Sequence, residues 1–171
     1  MSCTKNHEIN KIFTDKLPRD TAVQYCNEFG DPESITKNSA IWSSPIRKHD
    51  IVEVKNEQIP HSWPMAHVDF VYSTRSYKNE DGSCDITPEH VGIIAKASGS
   101  IFVDQLKCEA TARCMLLIKN DVSLNFVQDI ISGEKITTEN ARDMYAEYIL
   151  NNKTTDEFPD PFDNSEKTLG I

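Results

Sequence analysis

The sequence predicts an α+β fold: a short antiparallel sheet from the middle of the chain, packed against C-terminal helices and followed by a flexible acidic tail. Three observations predict it. Two short stretches with helical spacing come first, a β-branched middle with Pro-containing turns spans residues 40–77, and the runs after Thr87 carry helix start and stop signals. A chain of 171 residues can bury about two-thirds of its unfolded surface as one domain. The division read here is a single domain over 1–153 and a tail over 154–171.

In the first stretch Ile9, Ile12, Phe13 and Leu17 recur at helical spacing, with Asn6 as N-cap and Pro18 as the stop. The second starts from Asp20 as N-cap, places Ala22, Val23, Cys26 and Phe29 on one face, and closes at Gly30. Next, residues 49–55 read as a strand in which Val52 and Val54 share a face. Beyond a turn over 59–64, residues 67–72 alternate: Val68, Phe70 and Tyr72 point to the predicted core, while His67 and Asp69 point outward. Residues 74–77 extend that strand, and 78–83 form a loop.

Thr87-Pro88-Glu89 is a helix start, with Thr as N-cap and Pro in the first helical position. The same segment also reads as a hairpin pairing residues 90–95 with 100–104, and the sequence leaves both open. Leu106, Ala110, Cys114, Leu117 and Ile118 then make a helical stripe that Asn120-Asp121 breaks. A further helix carries Leu124, Val127, Ile130 and Ile131 and ends at Gly133. Thr138 caps a last one through Ala141, Met144, Tyr145, Tyr148 and Ile149. In the tail, five acidic residues surround Phe158-Pro-Asp-Pro-Phe162, where alternating prolines forbid a helix.

The formal charge is −9, from 27 acidic and 18 basic side chains. Affinity for nucleic acid rests largely on cations at phosphates, so nucleic acid is an unlikely partner and a basic protein an easier one. No run approaches the roughly 20 apolar residues that span a bilayer, and the first residues lack an apolar signal stretch. A cytoplasmic location is therefore expected. The five cysteines show no paired spacing, which in a reducing compartment predicts free thiols. No cofactor motif stands out.

Four residue sets could carry chemistry or binding. Asp50-Ile-Val-Glu-Val, then His90 ahead of a short turn and Cys108 near a helix start, resembles the order of circularly permuted NlpC/P60-like thiol hydrolases and acyltransferases. The resemblance implies Cys108 as nucleophile and His90 as base, an arrangement that favours the thiolate. It departs from the family in lacking Gly before Asp50. His61, His67 and Asp69 could gather a metal, zinc first, because positions i and i+2 of a strand share a face. Asp31, Glu53 and Lys55 form a magnesium-nuclease-like trio, a pattern common by chance. Finally, Phe158 and Phe162 suit docking into a groove with a basic rim. The Pro-stiffened loop holding Trp63 and Met65 offers a fixed surface, since Trp is a frequent interface anchor. Taken together, these features point first to a non-catalytic protein acting by binding a protein partner. The thiol hydrolase and the metal-dependent hydrolase are the alternatives.

Overall fold

The computed structural model describes residues 2–46 and 49–153; the predicted tail and its Phe158 and Phe162 lie outside them. Helix α1 (Asn6–Ile12) is followed by α2 (Lys16–Phe29). Pro18 does not stop a helix. It occupies the first turn of α2, where a backbone N–H would have no partner in any case. The N-cap is Asp15 rather than Asp20. As the sequence predicts, Gly30 ends α2 with a φ of 87°, a conformation glycine adopts at little cost.

Strands β1 (Ser34–Ile35), β2 (Ser39–Ile46), β3 (His49–His61) and β4 (His67–Ser76) follow as an antiparallel meander. Helix α3 (Pro88–Ala97) then leads to β5 (Ile101–Asp104) and β6 (Glu109–Cys114), and the described chain ends in α4 (Leu117–Ile131) and α5 (Ala141–Leu150). The strands form one six-stranded antiparallel sheet in the order β1-β2-β3-β4-β6-β5. No helix among the described residues is long and apolar enough to cross a membrane.

Directly paired residues share a face of a sheet. Trp42, Val52, Ser73, Ala112 and Ile101 are paired in succession across five strands, and all are buried. A second buried row runs Ala40, Val54, Val71, Cys114. The neighbouring row, Ile41, Glu53, Tyr72 and Arg113, is only half-buried. One apolar cluster packs Ile9, Phe13, Ala22 and Tyr25 of the N-terminal region on Trp42, Val52, Val54 and Val71. Another packs α3, α4 and α5 on β5 and β6, with Phe126 at its centre.

Further expectations are corrected or resolved in the second half of the chain. The helix–hairpin ambiguity over 87–104 resolves into both elements: Thr87 and His90 close a reciprocal capping box at the start of α3, while β5 pairs with β6 rather than with residues 90–95. Residues 109–114 are a strand, because Ala110, Ala112 and Cys114 are the buried ones, at a period of two. Asn120 and Asp121 do not break a helix but lie inside α4. There Asn120 Nδ2 donates to the Val71 carbonyl and to Ser73 Oγ, both at 3.1 Å, and Asp121 accepts from Arg75 at 2.8 Å. The last helix starts from Asn140 rather than Thr138.

Candidate active site

The β3–β4 connection spans only residues 62–66, so its register sets His61 directly opposite His67, and Asp69 follows two positions along β4. The potential ligand atoms of His61, His67 and Asp69 all lie within 4.8 Å of one another. Contrary to the alternation read from the sequence, this phase of β4 does not face solvent: Asp69, Val71 and Ser73 are fully buried. The carboxylate gathers three nitrogens, with Arg113 Nε at 3.0 Å from Oδ2, His61 Nδ1 at 3.2 Å from Oδ2, and His67 Nε2 at 2.9 Å from Oδ1. Arg113 donates a true hydrogen bond. The other two contacts are close but misaligned, which leaves His61 Nδ1 and Asp69 Oδ1 buried without a hydrogen-bond partner among the described residues.

Electrostatics follow from this crowding. Burial alone would push the Asp69 carboxyl up, but His61 and His67 beside it hold it down at about 2. Burial likewise works against a charged His67. Asp69, the Cys114 sulfur and the Met65 carbonyl outweigh it and raise the imidazole to about 10.

Cys114 ends β6 just ahead of α4, at the end of the buried row that includes Val71. Its sulfur lies 3.6 Å from His67 Nε2, within hydrogen-bond reach for sulfur. The opposite nitrogen, Nδ1, meets the Met65 carbonyl at 2.8 Å, which fixes the ring's orientation. Cys114 is buried and is the one free cysteine among the described residues. Beside these groups is a narrow, partly open hollow with room for about one water molecule, lined on its apolar side by Pro64, Met65, Tyr145 and Ile149. Tyr145 hydrogen-bonds Ser123 at 2.8 Å, and burial pushes its phenol up to about 12. Lys119 is held by the Ile149 carbonyl and Asn152 at the end of α5.

The other predicted sets do not assemble. Cys108 is bonded to Cys84, and Cys3 to Cys26, so the expectation of free thiols is overturned for these four. Cys108 lies in the β5–β6 turn with a φ of 54°, not at a helix start, and His90 caps α3 instead of standing on a strand. The pairing that a His90/Cys108 hydrolase needs is absent: a sulfur in a disulfide offers no thiolate, and His90 spends Nδ1 on the Thr87 amide. Asp31 is tied to Thr4, away from the groove that Glu53 and Lys55 line with Asp15 and Glu57. Trp63 is partly buried, stacked on Tyr145 at 5.8 Å beneath the Arg142 guanidinium at 3.9 Å, while Met65 turns toward the hollow.

Sequence reasoning missed Cys114 and Arg113 as site residues. The available signal was the alternation of Glu109-Ala-Thr-Ala-Arg-Cys114, polar against small, which is the strand period. No protein-family model matches the chain, and neither a curated protein nor a solved structure matches it.

Proposed function

We propose that the protein is a cysteine-dependent hydrolase or acyltransferase, with Cys114 as nucleophile and His67 as its proton partner. The observation that carries this reading is the unpaired Cys114 sulfur 3.6 Å from His67 Nε2, on a ring whose other nitrogen is already held by a backbone carbonyl. Thiol catalysis asks for such a nucleophile, base and orienting group in series.

In this chemistry the proton rests on His67 and the thiolate sulfur attacks an acyl carbonyl carbon. A sulfur–carbon bond forms, and the bond to the leaving group breaks as His67 Nε2 gives that group its proton. Water, or an acceptor nucleophile, then cleaves the thioester and returns the proton to His67. Asp69 supports the charged ring throughout. Pro64, Met65, Tyr145 and Ile149 supply apolar surface beside the sulfur. Turnover of a panel of activated esters and thioesters by the full chain tests the reading. Cys114→Ala is expected to abolish turnover and His67→Asn to lower it by about 100-fold or more. Equal turnover by wild type and Cys114→Ala overturns it.

A protein-docking role is the second reading, favoured by one observation. Leu106 at the β5–β6 turn is 98 % exposed, and Phe102 beside it on β5 is 46 % exposed. Removal of residues after 153, or Leu106→Ser, is expected to release a co-purifying partner, and unchanged recovery with both counts against it. As to location, two disulfides fit an oxidising compartment and weigh against the cytoplasmic expectation.

A further inference from the structure

We propose that His61, His67 and Asp69 bind a divalent transition-metal ion of the zinc class, and that this ion controls whether Cys114 can react. Two imidazoles and a carboxylate are a zinc ligand set that leaves one position open. Here the three come from adjacent strands of one hairpin, with their ligand atoms inside 4.8 Å. The thiol reading leaves two atoms of this cluster unexplained. His61 Nδ1 and Asp69 Oδ1 are buried without a hydrogen-bond partner among the described residues, and the Asp69 side chain is wholly shielded from solvent. Buried polar atoms are normally satisfied, and an ion among the three ligands satisfies both.

The surroundings fit the same assignment. The Met65 carbonyl accepts from His67 Nδ1 and so turns the Nε2 lone pair toward the cluster, the arrangement that orients metal-binding histidines. Arg113 hydrogen-bonds Asp69 through Oδ2, and Oδ1, in close contact with His67 Nε2 at 2.9 Å, lacks a hydrogen-bond partner among the described residues. The Cys114 sulfur lies beside the cluster, 3.6 Å from His67 Nε2. The second metal-like group, Cys3, Cys26 and Asp31, offers nothing comparable, because its two sulfurs are bonded to each other.

His67 Nε2 has one lone pair. It can hold the ion or take the proton of Cys114, but not both, so the ion inhibits the thiol. This regulatory half rests on the proposed Cys114–His67 reading, whereas the binding half does not.

The test is calorimetric titration of zinc into the chelator-stripped full chain, with cobalt absorption as a second probe and iodoacetamide labelling of Cys114 measured with and without zinc. One equivalent of zinc is expected to bind. Affinity should fall by about 100-fold in His61→Ala and Asp69→Asn and be retained in Cys114→Ser, with no sulfur-to-cobalt charge-transfer band. Asp69→Asn also strips Arg113 of its partner, so His61→Ala with an unchanged circular-dichroism spectrum is the decisive variant. Zinc should slow Cys114 labelling in wild type and leave it unaffected in His61→Ala. No stoichiometric binding, binding that survives His61→Ala, or binding lost in Cys114→Ser each overturns the site. A reactive, catalytic Cys114 in a chain that binds no zinc defeats this proposal and leaves the enzyme reading standing. A Cys114 that stays inert after the ion is stripped, in a chain whose zinc binding depends on His61, overturns the enzyme reading and the regulatory half and leaves the binding half standing.

Discussion

Cys108 and Cys114 flank the same short strand, β6, and meet opposite fates. At one end Cys108 turns the chain in a left-handed conformation and is bonded to Cys84, tying the loop before α3 to the β5–β6 turn. At the other end Cys114 keeps its thiol and faces an imidazole. Both are buried, so exposure does not separate them. What separates them is the neighbour that each end of the strand meets: another cysteine in one case, a histidine on β4 in the other. A cysteine's chemistry here is a property of register, not of local sequence.

The sharpest way to break that contrast is substitution at each end. Cys114→Ser is expected to reduce turnover by about 1000-fold, since a hydroxyl is a far weaker nucleophile than a thiolate. The double change Cys84→Ser with Cys108→Ser should leave turnover within about twofold. Steady-state kinetics on both variants checks it, and similar losses at the two ends would dissolve the distinction. The same double change is expected to cost about 3 kcal/mol of stability, because the bridge closes a loop with a sequence separation of 24. Denaturant unfolding under non-reducing conditions measures that, and no shift of the midpoint would mean that the bridge is not formed.

A smaller effect should appear with pH at the Cys114 end. Asp69, held at about 2 against an ordinary 3.8, adds stability above about pH 4 that is lost as pH falls toward 2. His67, held at about 10 against 6.5, adds stability below about pH 6.5 that is lost as pH rises toward 10. The metal-free protein should therefore be most stable between about pH 4 and 6.5, with an acid limb worth about 2 kcal/mol. Unfolding midpoints across that range test the shape, and His67→Asn should flatten the alkaline limb. The smallest effect belongs to the tip of the disulfide end: Leu106→Ser should change stability by less than about 0.5 kcal/mol, as exposed positions do. A larger loss in thermal unfolding would show that the turn carries more than its bridge.

Much of the fold was legible in the sequence, and the reasons are local. The alternation over residues 67–72 announced β4, and Thr87-Pro88 announced α3, because caps and pleats act over a few residues. Strand β6 was misread because Ala110, Cys114 and Leu117 satisfy a helical spacing while Ala110, Ala112 and Cys114 satisfy a strand; sheet partners decided between them. At the site, His61, His67 and Asp69 could be grouped from one hairpin. Cys114 could not, since it reaches His67 across 47 residues through the pairing of β4 with β6. The two disulfides, with separations of 23 and 24, were hidden for the same reason.

The chain has two tryptophans, and each belongs to a different apolar cluster. Trp42 is buried with its indole N–H on the Gly30 carbonyl, and Trp63 lies between Tyr145 and Arg142. Intrinsic fluorescence thus comes with a spatial code already written into it. With Trp42 replaced by Phe, emission follows the β3–β4 loop alone, so the seating of that loop on α5 can be watched in real time without attaching a dye.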